Sequence, residues 1–230
     1  MTEDRLQRAG LISGIVYIAL QLGAFVYFAA AIFPHFAPID APAPERAAAV
    51  RALGDTLRLG NYLLVLPSPF FLFFLGGLVS SLRQRLPDAG TIRTSVLAAG
   101  TAMALVWPMG AILSDIELDI AVAGGDSVVI SSLDAVAPYT LALSAAARAV
   151  FVGVLALPLI ARAGALRWCG WSGVAIAVLS IAGTATLVAA AAFPVLAASS
   201  LLFDVWLLMF CVLWMRPGVL DAGIHPGGRA

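Results

Sequence analysis

The chain has 230 residues, of which 62% are hydrophobic and 11% charged, and its 13 basic side chains balance 13 acidic ones. Soluble domains carry about 25% charged residues, so this composition, with a mean hydropathy of +1.01, excludes an ordinary soluble globule. The expected fold class is all-α: a polytopic membrane protein.

A hydrocarbon core needs roughly 20 apolar residues to cross, and six stretches reach that length: 11–33, 57–82, 94–114, 139–161, 171–193 and 198–215. They define a single transmembrane domain over 1–216, with a Gly- and Pro-rich tail, 217–230, expected to be disordered. The first stretch exceeds a signal-peptide core and lacks a small-residue cleavage site, so it is expected to be retained.

Between spans one and two, Pro34, Pro38, Pro42 and Pro44 give way to a helix-like run. Val50, Leu53 and Leu57 share one face of it, with Arg46, Arg51 and Asp55 mostly elsewhere, as in an interfacial helix. Segment 44–57 is therefore expected to lie on the outer leaflet, or else to lid a cavity mouth. Span two contains Pro67-Ser68-Pro69, which removes backbone donors and kinks a helix. Phe70, Phe71, Phe73 and Phe74 read as lipid-facing or packing residues, and Gly76-Gly77 as a close helix contact.

Span three carries Pro108 after Trp107, and the acids Asp115, Glu117, Asp119, Asp126 and Asp134 mark 115–138 as an outer loop. Asp115 and Asp119 lie one turn apart but lack the further oxygen ligands that calcium requires. His35 and His225 have no partners at zinc spacing. No metal and no cofactor is expected, and no GxSxG, HExxH, P-loop or dinucleotide fingerprint occurs. Span four carries Pro158 and, mid-run, Arg148; span six carries Asp204 among apolar residues. Charges inside a span are costly and mark function by default.

There is no lysine, and the arginines sort by side. Arg5, Arg8, Arg83, Arg85, Arg93, Arg162, Arg167, Arg216 and Arg229 fall on one side, with Arg46, Arg51 and Arg58 on the other. The positive-inside rule then places both termini in the cytoplasm, in a bacterial cytoplasmic (inner) membrane. Cys169 and Cys211 lie near that side, where thiols stay reduced, so no disulfide is expected. No internal repeat is visible, so an inverted-repeat transporter is not supported.

Counting residues from cytoplasmic markers gives depth at ~1.5 Å per residue. Arg148 lies fourteen residues before Arg162, Asp204 twelve before Arg216, Trp107 fourteen after Arg93, Gln21 thirteen after Arg8 and Ser68 fifteen before Arg83. Thr184 lies thirteen after Trp171. All six spans thus bring a polar residue to one level. Two arrangements suit Arg148 and Asp204: an ion pair that fixes helix register, or an outward-opening hydrated pocket with Asp204 as proton donor or counter-ion. The prolines, Trp107 and Gln21 favour the pocket; Asn61 and Tyr62, at the outer end of span two, either line its mouth or anchor that span at the interface.

The Pro/Ala/Arg-rich first outer loop, FLGGLVSSLRQR and RAGALRWCGWSG resemble features of small bacterial six-helix integral membrane proteins that share no assigned chemistry. Leu166 stands where that group often has proline. The last span, LLFDVWLLMFCVLWMR, is similar to the last helix of integral membrane terpene cyclases. That resemblance implies a lyase or isomerase in which Asp204 protonates an isoprenoid chain. Those cyclases also place a glutamate beside an aromatic residue in an early helix, where this chain has Asn61-Tyr62. A carboxylic acid in apolar surroundings holds a proton ready to donate, and Trp107, Phe203 and Trp206 offer ring faces to a cation. The resulting expectation is a pocket that binds or transforms a lipophilic small molecule, with Asp204 and Arg148 catalytic. Gln21, Ser68, Trp107, Phe203, Trp206, Asn61, Tyr62 and Asp115 are then the binding residues. The expected partners are the lipid bilayer and that molecule, with no nucleic acid. A small-solute or ion transporter, and a non-catalytic subunit with a structural Arg-Asp pair, are the alternatives.

Overall fold

The computed structural model describes residues 3–38, 41–86 and 88–215; the tail 217–230 lies outside the described residues. Seven α-helices are found among them: α1 (Glu3–Tyr27), α2 (Ala43–Val65), α3 (Pro67–Arg85), α4 (Gly90–Val122), α5 (Ser127–Ile160), α6 (Ala165–Gly183) and α7 (Phe193–Trp214). Six spans are long and apolar enough to cross a membrane, α2 and α3 together forming one.

That joint span breaks where its prolines require it. Leu66 is the junction residue, and Pro67 opens α3 at a position where its missing N–H costs nothing. The spans pack in the order α1, α3, α4, α5, α6, α7 and back to α1, with α5 also reaching α7. Chain direction puts Arg85, Gly90, Ile160, Ala165 and Trp214 at one end, called here the basic end.

The half of the bundle toward the basic end is a packed apolar plug. Leu78, Leu82, Val96, Leu159, Leu166 and Phe210 are all buried there. Trp206, Phe210 and Trp214 form a column along α7, with ring centroids 5.5 and 5.1 Å apart. Its polar edges are satisfied: the Trp206 indole donates to Cys169 O at 2.8 Å, and that of Trp214 to Ser81 Oγ at 2.9 Å. α1 crosses α3 at glycines. A Cβ on Gly10 would lie 2.7 Å from the Gly77 Cα, whereas one on Gly76 would meet nothing within 4 Å. The close contact expected of Gly76-Gly77 therefore belongs to Gly77. Of the phenylalanine run, Phe71 and Phe74 are in the core while Phe73 is exposed.

At the opposite end the structure differs from the reading of 115–138 as a loop. α4 has 33 residues and α5 has 34, about 50 Å each at helical rise, against a hydrocarbon thickness of about 30 Å. Only 123–126 remains non-helical, and Asp126 caps α5 by accepting from Val128 N at 2.8 Å. Of the acids that suggested a loop, Asp115, Asp119 and Asp134 sit on the polar sides of these two projecting helices, Glu117 is buried and Asp126 is the cap of α5.

The first half of α2 packs against that projection. Val50, Leu53 and Leu57 do share a face, but Phe28, Ile32, Leu118, Ala121 and Ile130 cover it, forming a second core. Segment 44–57 is therefore a cap docked on protein through its apolar face. An amphipathic pattern specifies an apolar face without specifying what covers it. Arg46 pairs with Asp134, Arg51 donates to Ala121 O at 2.7 Å, and Arg58 meets Asp119 at 2.6 Å. Gly54, at φ 47° and ψ −125°, interrupts the helix between Arg51 and Arg58.

Candidate functional site

Between the plug and the cap lies one cavity, walled by five of the six spans. α1 supplies Tyr17, Gln21 and Phe25, α3 supplies Ser68 and Phe71, and α4 supplies Met103, Ala104 and Trp107. α5 contributes Ser144 and Arg148, and α7 contributes Ser200, Phe203 and Asp204. About 20 Å3 is open to the centres of water-sized molecules, room for about one water.

The level read by residue counting is recognisable here. Gln21, Ser68, Trp107, Arg148 and Asp204 all line the cavity, as does Phe203. Thr184 does not, because α6 ends at Gly183 and the Thr184 hydroxyl turns back to Ile181 O at 2.6 Å. α6 takes part from behind, through Ser180. Trp206 is part of the plug, one turn beyond the cavity floor. Asn61 donates to Asp115 at 3.0 Å nearer the capped end, and Tyr62 is exposed; none of these three lines the cavity.

The lining residues that counting missed follow from helical spacing. Tyr17 and Phe25 stand one turn either side of Gln21, Ser144 one turn before Arg148, and Ser200 one turn before Asp204. Residues three and four apart share a helix face, so each polar marker carries its neighbours into the same wall.

Arg148 is 3% exposed and forms no ion pair with Asp204. Its guanidinium is held by three serines instead. Nε donates to Ser180 Oγ at 3.1 Å, Nη1 to Ser200 Oγ at 2.8 Å and Nη2 to Ser199 Oγ at 2.7 Å. Ser199 and Ser200 both pass their own protons to Leu196 O, at 2.8 and 3.0 Å, so each offers lone pairs to the cation. The Phe203 ring centroid lies 5.8 Å from the guanidinium carbon. Hydroxyls thus replace water around Arg148 without neutralising its charge.

Asp204 is 1% exposed, and its Oδ2 has no hydrogen-bond partner within the protein. The same holds for both amide atoms of Gln21, the Trp107 indole nitrogen and the Ser144 hydroxyl. Buried polar groups are paired in the great majority of cases. Here four unpartnered ones converge on a single space. Among the described residues Glu117, near the cap, is the one other residue with such an atom.

Exposure survives only at Phe25, Ser68 and Trp107, so the cavity comes closest to the surface between α1, α3 and α4. There the rings of Phe25 and Trp107 meet edge to face, centroids 5.8 Å apart at 83°.

Among the described residues no group of three or more His, Cys, Asp or Glu side chains is placed to hold a metal. Asp115 and Asp119 are engaged by Asn61 and Arg58 and serve to dock α2 on α4. No protein-family model, curated protein or solved structure matches the chain.

Proposed function

We propose that the chain is an intramembrane binding protein for a lipophilic small molecule, with Asp204 as the proton donor acting on it. The observation that carries this reading is the convergence of unpartnered atoms from Gln21, Trp107, Ser144 and Asp204 on one buried cavity. Its most specific form is acid-initiated cyclisation of an isoprenoid. Asp204 would protonate a substrate carbon, the cation would lie against Tyr17, Phe71, Trp107 and Phe203, and loss of a proton would restore the acid. Aromatic faces stabilise such charge electrostatically. A guanidinium locked to Asp204 would hold it ionised and oppose the step; Arg148 instead bonds to Ser180, Ser199 and Ser200 and forms no ion pair with Asp204.

A substrate of that length exceeds the present cavity, so it enters by parting Phe25 from Trp107 on the flank facing lipid. The apolar plug below favours a closed pocket over a transport path, since a conducting route needs polar or hydrated lining. The arginine bias supports a bacterial inner-membrane location with the basic end and both termini in the cytoplasm.

The deciding experiment supplies membranes containing the protein with a linear isoprenoid and follows cyclised product. Asp204→Asn, nearly isosteric and unable to serve as the acid, should abolish turnover. Unchanged product from that variant refutes the acid.

A further inference from the structure

Arg148 is a buried cation with no carboxylate in hydrogen-bond or ion-pair contact. A guanidinium has five N–H groups, and the three bonds to serine leave one N–H on each terminal nitrogen uncommitted. Around the same space the Trp107 indole and the Gln21 amide each present a donor without an acceptor in the protein, and Ser144 presents a hydroxyl. The Gln21 carbonyl and Asp204 Oδ2 are the unpartnered acceptors. Donors and positive charge therefore outweigh what the protein offers them.

Asp204 faces the same space without touching the guanidinium: it lies one turn beyond Ser200 on α7, no ion pair joins it to Arg148, and its Oδ2 is unpartnered. A buried charge is tolerated when paired and costs several kcal/mol when it is not. A ligand anion would supply the missing partner, and the planar fork of arginine matches a carboxylate in two bonds.

We propose that the ligand of this pocket carries a small oxyanion, of carboxylate size, at one end of an apolar chain, and that Arg148 docks it. This rests on the pocket reading above and specifies its substrate class. Docking at Arg148 fixes orientation: the charged end sits at the level of Ser199 and Ser200, and the chain beyond it runs past Asp204 among the rings.

The test uses the full chain in phosphatidylcholine nanodiscs with three probes: a linear C15 isoprenoid carboxylic acid, its methyl ester and the matching alcohol. The acid should bind on the order of tenfold more tightly than the ester, as expected of hydrogen bonds to a charged group. Arg148→Met should erase that preference while the ester still binds. Arg148→Lys, which keeps charge but loses the fork, should reduce the preference and serves if the methionine variant fails to fold. Equal binding of acid and ester to the wild type, or a preference that survives Arg148→Met, overturns the dock and leaves the pocket standing. Failure of all three probes to bind overturns both. Adding phosphatidic acid to the discs identifies the source: displacement of the bound probe makes the oxyanion a bilayer lipid's, and retention makes it a free amphiphile's. Either result keeps Arg148 as its dock.

Discussion

Asp204 stands one helical turn along α7 from Ser200, whose hydroxyl accepts from Arg148 Nη1 at 2.8 Å, so acid and cation share one wall of the cavity without forming an ion pair. This arrangement separates two roles that a salt bridge would merge. The serines solvate the cation, and the carboxyl keeps an unpartnered oxygen among aromatic rings. The pair behaves as two sites joined by a helix turn.

The separation has a measurable consequence for stability. Removing one member of a buried ion pair costs roughly 3–5 kcal/mol, because the other charge is stranded. Asp204→Asn should therefore leave the thermal midpoint of the purified protein nearly unchanged, within about 1 kcal/mol, the scale of one ordinary hydrogen bond. A loss of several kcal/mol would mean that Asp204 balances Arg148 after all.

The serines should behave in the opposite way. Ser199, Ser200 and Ser180 each provide an acceptor to a buried cation. Hydrogen bonds to charged groups are worth about 1.5–3 kcal/mol. Ser200→Ala and Ser199→Ala should each lower stability by about that amount. In an Arg148→Met background both should become nearly neutral, which thermal unfolding as a double-mutant cycle measures directly.

Much of this architecture was legible before any coordinates. The spans follow from apolar length, and counting from arginine markers works because each α-helix rises by the same ~1.5 Å per residue. That logic found Gln21, Ser68, Trp107, Arg148 and Asp204. It failed for Thr184 because α6 tightens into a 3-10 turn at that residue, while Ser180, facing α5, carries the polar contribution instead. It failed more broadly at the capped end. Acids at 115, 117, 119, 126 and 134 look like a loop in one dimension, yet several meet arginines or Asn61 of α2 across a helix interface. Long-range pairing of that kind leaves no periodic trace in either segment.

The α1–α3 crossing offers a matched pair of adjacent positions. Gly10→Ala places a Cβ 2.7 Å from backbone that cannot rotate away. The helices must separate, at a cost of about 1–3 kcal/mol for such overpacking. Gly76→Ala, beside the contact glycine but facing open space, should be neutral. Equal effects in thermal unfolding would place the crossing elsewhere.

The cap should respond to its own hinge without involving the cavity. Gly54 has φ 47° and ψ −125°, outside what residues with a Cβ tolerate, and a Cβ there meets no neighbouring atom. Gly54→Ala thus isolates backbone strain, of order 1–3 kcal/mol. Hydrogen exchange should accelerate across 43–57, where Arg46 and Arg51 hold the cap to α5 and α4. Probe affinity should change little, because the cap's contacts on α4 lie at Leu118 and Ala121, at least eleven residues beyond Trp107 and about 16 Å along the helix, and on the first span it reaches Phe28 and Ile32, one turn or more beyond the lining residue Phe25. An affinity that falls with cap loosening would restore the lid reading of segment 44–57.

The final prediction concerns how a ligand reaches a space with room for about one water. Phe25 and Trp107 belong to α1 and α4, which both pack on α3 rather than on each other, so their edge-to-face contact closes the seam on this side of the cavity by side chains. Such a ring pair is worth about 0.5–1.5 kcal/mol beyond burial, small enough to break on each passage. Trp107→Ala removes the contact and widens the seam, so association and dissociation of the isoprenoid ester should both quicken, by several-fold for a barrier lowered on that scale. Affinity should change less than either rate, since a gate alters the barrier more than the end states. The tryptophan also offers an unpartnered indole N–H to the cavity. Trp107→Phe, which keeps the ring contact and loses that donor, therefore completes the test. If Trp107→Phe quickens exchange as much as Trp107→Ala, the indole hydrogen bond rather than the seam controls admission, and the gate assignment fails.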